Sequence, residues 1–270
     1  MTDARTPALP RRPRPSGLRV QVRIVSALLR REILTRFGRH NIGFLWIFVE
    51  PMLFTLGVTA LWTAAKSVHG SSLPIVGFAL TGYSSVLLWR NMPSRCILSV
   101  TNNLAIMNHR NVKVIDIYLA RIILEATGAT TSFVVLGLFF TYIGWLDLPE
   151  DILKIAFGWL LLALFGASLA FLLGSLSERF ETIEKLWHPA SYLLFPLSGA
   201  AFLVDALPKA AQEVILLLPM VHGVELIREG YFGTKIHAVY NIGYMATCIA
   251  VLMLVGLAQI RRIGTEVIPE

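Results

Sequence analysis

ILKIAFGWLLLALFGASLAFLLGSL, residues 152–176, carries one charged side chain, Lys154. A hydrocarbon core of about 30 Å is crossed by about 20 apolar residues wound as a helix, so this stretch reads as a transmembrane span. The same reading, taken outward, finds further spans at Ile42 to Ala65, Pro74 to Leu98, Ile117 to Ile143, Trp187 to Leu203 and Val239 to Ile260. The 270 residues are 55% hydrophobic and 15% charged, with mean hydropathy +0.65. Soluble domains run at roughly 45–50% apolar and about 25% charged. The expected fold is therefore an all-α membrane protein of six transmembrane helices, with little chain left for a soluble domain. A cleavable signal does not fit, because the first long run begins only at Ile42 and no A-x-A site ends it. Cys96 and Cys248 fall within or at the ends of spans, which argues against a disulfide framework.

Placing alternate loops on opposite sides puts 19 of the 24 Lys and Arg on the side of the N-terminus. Ten lie in the first 40 residues, followed by Arg90, Arg95, Arg110, Lys113, Arg121, Arg179, Lys185, Arg261 and Arg262. The positive-inside bias then makes both termini cytoplasmic. It also accounts for the net charge of +7. No zinc, helix-turn-helix or RNA-motif spacing accompanies that charge, so no nucleic-acid partner is expected.

Residues 1–17, rich in Pro and Arg, lack the apolar content to order themselves and read as a basic arm. Over residues 18–36, Leu18, Val22, Val25, Leu29 and Ile33 form a helical stripe, with Arg19, Arg23, Arg30 and Arg31 mostly off it. This is an amphipathic interface helix, either a surface anchor with its apolar face toward the membrane or a docking element for a cytoplasmic partner. Residues 37–262 read as a single domain of six transmembrane spans, and 263–270 as a cytoplasmic tail.

Glu50-Pro51 lies inside the first span. A carboxylate at membrane depth normally faces a cavity or a partner; here it could instead only serve a polar network near the kink at which Pro51 frees a carbonyl. Thr101 to Asp116 sets Leu104, Ile106 and Met107 among Asn102, Asn103, Asn108, His109, Arg110, Asn111 and Lys113. This short amphipathic cytoplasmic element is longer than a connector needs, and it suits a protein contact. SERFETIEK, residues 177–185, reads as a solvated charged face. Pro189 and Pro196 predict bending in the fifth span, and Trp187, His188 and Tyr192 add polar aromatic surface there. Residues 204–233 are too apolar for a plain loop yet broken by Pro208, Pro219, Gly223 and Gly230. Two short re-entrant or interfacial helices before the last span fit them best.

The chain has no G-x-x-x-x-G-K-[ST], so any ATP-driven work needs another subunit. No H-E-x-x-H or C-x-x-C occurs and the six histidines are scattered, which leaves no metal site to expect. Gly166-Ala167-Ser168, with His237 near the last span, resembles the serine motif of rhomboid intramembrane proteases; small residues on a membrane helix are the competing explanation, as packing contacts.

RFGRHNIGFLW, residues 36–46, continued by Glu50-Pro51, resembles the start of the first span in type-2 ABC exporter permeases. The preceding helix, the Asn103 to Asp116 loop and LPMVHGVELIREG, residues 218–230, share that resemblance, which runs from about Leu18 to Arg262. Leu218 stands where the family commonly has Asn. DIYLARIILE, residues 116–125, brings the chain nearest to the KpsM-like branch that exports capsular polysaccharide. Drug, lipid or teichoic-acid permeases of the superfamily are the alternative.

The resemblance implies a non-catalytic permease, working as a homodimer with two cytoplasmic ATPase subunits that bind ATP and Mg. A polymer conduit would run between the protomers toward a periplasmic and outer-membrane export assembly. It further implies that the interface helix, with Leu29 and Arg30, cups the ATPase, and that Asn103, Leu104, Ile106, Met107, Asn108 and Arg110 form the coupling element. For the conduit, Trp46, Tyr83, Trp89, Trp187, Tyr192 and Phe195 are candidate aromatic faces for sugar rings; Glu50, Arg90 and His188 are candidate polar groups. Pro51, Arg121, Glu125, Pro189 and Pro196 are the expected polar and kink positions.

Overall fold

The computed structural model describes residues 17–37, 73–107 and 112–267 throughout, together with Leu45, Val49, Met52, Leu53, 55–61 and Thr63, all of them helical. The arm before Gly17, and the site candidates Trp46, Glu50, Pro51, Asn108 and Arg110, lie outside the described residues. No strand occurs among the described residues. The helices are α1 (Gly17–Phe37), α2 (Ile75–Cys96), α3 (Leu104–Met107), α4 (Val114–Tyr142), α5 (Ile152–Ser177), α6 (Glu181–Leu197), α7 (Lys209–Ile215), α8 (Pro219–Phe232) and α9 (Ile242–Val267). Among the described residues, Val114–Tyr142, Ile152–Ser177 and Ile242–Gly264 are long and apolar enough to cross a membrane. Lys209–Ile215 and Pro219–Lys235 qualify together, bent by 109° at their break.

The stretch that opened the sequence reading is the central post. Asp151 caps α5, its carboxylate accepting from the Lys154 amide at 2.9 Å. Small residues then let three neighbours close on it. Gly158 meets Ile227 of α8, Gly166 meets Trp89 of α2, and Gly174 meets Tyr118 of α4 and Cys96 of α2. A Cβ at Gly166 would sit 2.8 Å from the Trp89 Cα, so bulk there would force α2 away. Gly256 brings α9 equally near Phe171 and Leu172. Trp89, Leu162, Phe165, Ile227 and Met245 form the middle of the resulting core.

Several boundaries differ from the sequence reading. The helix of the expected fifth span, α6, starts at Glu181, six residues before the expected Trp187, because the charged loop forms its first turn and Glu181 and Glu184 favour a helix N-terminus. It stops at Leu197, short of Leu203, since Gly199 takes φ +83° and breaks the winding. Pro189 and Pro196 both lie inside this helix. At the chain's end, α9 continues through Arg261 and Arg262 to Val267, into the expected tail. α1, over residues 17–37, packs on α4. Val25, Leu29 and Ile33 are half-buried, while Leu18 and Val22 stay exposed.

Candidate coupling face and transport path

The segment after α2 turns sharply. Leu98 adopts φ +51°, a left-handed conformation uncommon for a side-chain-bearing residue. The end of α5, 79 residues further along the same chain, holds it there: the Leu98 amide donates to Ser177 Oγ at 3.0 Å. The next residue of that segment, Glu178, then takes the start of the following helical turn. Its carboxylate accepts from the Val100 amide at 2.8 Å, the Thr101 amide at 3.1 Å and the Thr101 hydroxyl at 2.6 Å. The first amides of a helix lack partners within it and carry partial positive charge, so an anion is the fitting cap. Residues 101–107, with α3 at their end, are thereby fastened to the end of α5. Sequence reasoning placed Glu178 on a solvated face. Its partners lie 77 and 78 residues away, beyond any local periodicity.

The same segment is tied to α1. Arg31 donates to Asn103 Oδ1 at 2.8 Å, while Asn103 Nδ2 donates back to Ser99 O at 2.8 Å. Farther along α1, Gln21 donates to Asp116 Oδ1 at 2.9 Å, and Glu32 pairs with Arg121 at 3.4 Å. Arg121 also donates to the Arg95 carbonyl, and Arg95 pairs with Glu125 at 3.5 Å. The two polar residues expected to be structural, Arg121 and Glu125, thus join α1, α2 and α4. Of the coupling candidates, Leu104 and Arg30 are exposed, while Leu29 and Ile106 are half-buried. Asn103 and Met107 are buried. Met107 belongs to the core cluster, which corrects its place on a docking surface: the apolar side chain that α3 presents outward is Leu104.

Four path candidates converge between α2 and α6. The Tyr83 and Phe195 ring centroids are 5.0 Å apart, and the Arg90 guanidinium lies 5.5 Å from the Tyr192 centroid and 5.8 Å from that of Phe195. Tyr192 is 67% exposed, and His188 one turn earlier is exposed as well. Two tryptophans are corrected. Trp89 has no exposure and packs on Phe165 at 6.0 Å in the core, facing α5; a ring closed in on that side cannot line a conduit. Trp187 is buried and donates through Nε1 to Ser94 Oγ at 2.8 Å, so it fastens α6 to α2. The protease alternative also meets its geometry here. Ser168 is fully buried with its hydroxyl on the Phe165 carbonyl at 2.8 Å, whereas His237 is 82% exposed beside Asp205. A nucleophile and its base need hydrogen-bond reach, about 2.6–3.2 Å.

At the other end of α2 sits a group of side chains that the sequence reading quoted without assigning a role. Arg228 of α8, with no exposed surface, donates to the carbonyls of Gly199, Phe202 and, at 2.6 Å, Ala200. Its guanidinium stacks 3.8 Å from the Phe78 ring centroid of α2. Gly82 makes room for this, since a Cβ there would meet Ala200 O at 2.5 Å. Glu225 accepts from the amides of Val204 and Val239 at 3.3 and 3.2 Å, joining the two ends of the segment that holds α7 and α8. His222 accepts the Asn241 amide at Nδ1, so its contact with Leu216 O at 2.9 Å requires the proton on Nε2. Leu218 caps α8 without a side-chain bond, as its hydrocarbon must. A buried arginine feeding carbonyls has one sequence signal: an Arg three residues after a Glu in a helix that is mostly apolar before it.

A helical membrane protein with an apolar central post, a bent helix pair at one end and a polar, multiply tied face at the other has the layout of a transport permease. Residues 23–232 match the family described as ABC-2 type transporter, and the chain belongs to that family. It is 42% identical over 254 residues to the capsule polysaccharide export inner-membrane protein CtrC of Neisseria meningitidis serogroup B, covering 94% of this chain and 96% of that one. It is 38% identical to the protein of the same description, BexB, from Haemophilus influenzae, with the same coverage. The polysialic acid transport protein KpsM of Escherichia coli is 28% identical over 91% of this chain and 95% of its own.

Proposed function

We propose that this chain is the transmembrane subunit of an ATP-driven exporter that passes capsular, or a related cell-surface, polysaccharide across the inner membrane. One observation carries the substrate class: relatives covering 94% of the chain are named for capsule polysaccharide export. ATP and Mg are bound and turned over by a separate cytoplasmic subunit, two copies of which serve a homodimer of this chain, beside a periplasmic and outer-membrane export assembly. The subunit has six spans: the helical residues between Leu45 and Thr63, then α2, α4, α5, α6 and α9. The α7–α8 pair re-enters the membrane from the far side, and both termini are cytoplasmic.

The geometry supports this division of labour. A stroke delivered by the ATPase to α1, Arg30 and Leu104 reaches α4 through the Glu32–Arg121 pair and α5 through Glu178. The exposed face of α6, with His188, Tyr192 and the neighbouring Arg90 and Phe195, lines the conduit, with the buried Tyr83 ring supporting Phe195; Trp46 and Glu50 are assigned to it from the sequence alone. Aromatic rings there take sugar faces and polar groups take hydroxyls. The test is surface polymer in cells carrying Leu104→Glu: export falls at least tenfold while the chain stays in the membrane fraction. Undiminished polymer would remove α3 from the coupling element.

A further inference from the structure

Consecutive helices α4 and α5 are joined by only the Ile143–Asp151 loop, yet both pack more extensively on α2 than on each other. At the loop end they part, leaving a cleft of about 540 Å³. Phe133, Gly137 and Leu138 of α4, Trp159 of α5, Leu80 of α2 and Tyr231 of α8 are among its lining residues. The lining is almost wholly hydrocarbon and aromatic. Phe133 and Trp159 stack with centroids 4.5 Å apart.

The shape and chemistry of this cleft select its occupant. Along α5 it runs from Ile152 to Ala163, which at 1.5 Å per residue is about 16 Å, half of a hydrocarbon core of about 30 Å. That is the depth of one leaflet, measured from the end of the bundle away from α1 and α3. Three of the four polar side chains on its walls are already engaged, Thr141 being the fourth: Trp159 Nε1 donates to Thr130 Oγ1 at 2.9 Å, Thr130 donates to Ala126 O, and the Tyr231 hydroxyl donates to Asp147 O at 2.8 Å. A saccharide entering here would give up its hydrogen bonds to water and find few in return, which is costly. A hydrocarbon chain loses none and gains the dispersion contacts that an unfilled cleft forfeits.

We infer that the α4–α5 cleft binds one acyl chain of a membrane phospholipid from the leaflet opposite α1. The occupied site wedges α4 from α5 and touches both α2 and α8 at the end where Arg228 joins them. The inference stands apart from the transported substrate.

Trp159 is the probe, because at 9% exposure it is shielded except through the cleft. The full chain is reconstituted in phosphatidylethanolamine and phosphatidylglycerol vesicles with brominated acyl chains, and the Trp159 signal is taken as the difference between parent and Trp159→Phe. Gly137→Leu adds hydrocarbon to the cleft wall at a position where a Cβ meets nothing nearer than Leu80 Cδ2 at 3.8 Å. Val134→Phe, at a site 49% exposed, fills it from a second position. Brominated chains are expected to remove more than half of the parent's Trp159 signal, and both variants to cut that loss at least twofold. In native mass spectrometry the parent retains one phospholipid per chain and Gly137→Leu retains none. Equal quenching in parent and both variants overturns the site. So does a disulfide between two copies of Leu138→Cys, which would give the cleft to a second protomer.

Discussion

The two ends of α2 are secured in opposite ways. Beyond Cys96, the chain is held by side chains that keep part of their surface in water: Glu178 on the Val100 and Thr101 amides, Arg31 on Asn103, Arg95 on Glu125. Near Phe78 the hold comes from Arg228 and Glu225, neither with any exposure. Solvated pairs contribute about 0–1 kcal/mol each and are easily remade. A buried, carbonyl-bonded arginine has no alternative partner in water. One end of the helix is therefore built to be rearranged by whatever presses on it, and the other to stay joined to the α7–α8 unit throughout.

The largest effect that would sharpen this contrast is at Arg228. Arg228→Leu leaves the buried Glu225 carboxyl without the guanidinium 4.0 Å away, and breaking a buried pair costs about 3–5 kcal/mol. Loss of monodisperse protein on size exclusion is the expected outcome, with Arg228→Leu/Glu225→Leu recovering part of it. Next is Gly82→Val, whose Cβ would meet the Ala200 carbonyl at 2.5 Å; overpacking of this kind costs about 1–3 kcal/mol and should lower the thermal midpoint in detergent. Glu178→Ala is smaller and local. Hydrogen exchange at residues 98–107 should rise roughly tenfold, the size of one charge-assisted bond, with the melting of the whole chain little changed. Global unfolding in that variant would break the distinction between the two ends. Smallest is Lys185→Ala, which removes an exposed pair to Glu181 at 3.9 Å and should move stability by less than about 0.5 kcal/mol.

Much of this was legible beforehand. The uninterrupted apolar run of α5 announced a span, and the prolines and glycines of residues 204–233 announced the α7–α8 bend, because both signals are local. The start of α6 was misplaced since Glu181 and Glu184 read equally well as solvated loop or first helical turn. Tyr192 and Trp89 look alike in sequence. The packing of α2 on α5 carries the Trp89 ring into the core, whereas Tyr192, on α6, stays at the surface. Glu178 and Arg228 were missed as fasteners for the same reason, their partners being backbone groups far along the chain.

The account rests on the rearranged end being driven by a subunit that hydrolyses ATP. Vesicles reconstituted with this chain alone, with its candidate ATPase alone, and with both, supplied with lipid-linked polysaccharide and ATP, test it most directly. Polymer is predicted to cross only with both proteins and ATP present, with hydrolysis lost from transport in Leu104→Glu. Transport by this chain without the ATPase, or an ATPase that forms no complex with it, would contradict the account.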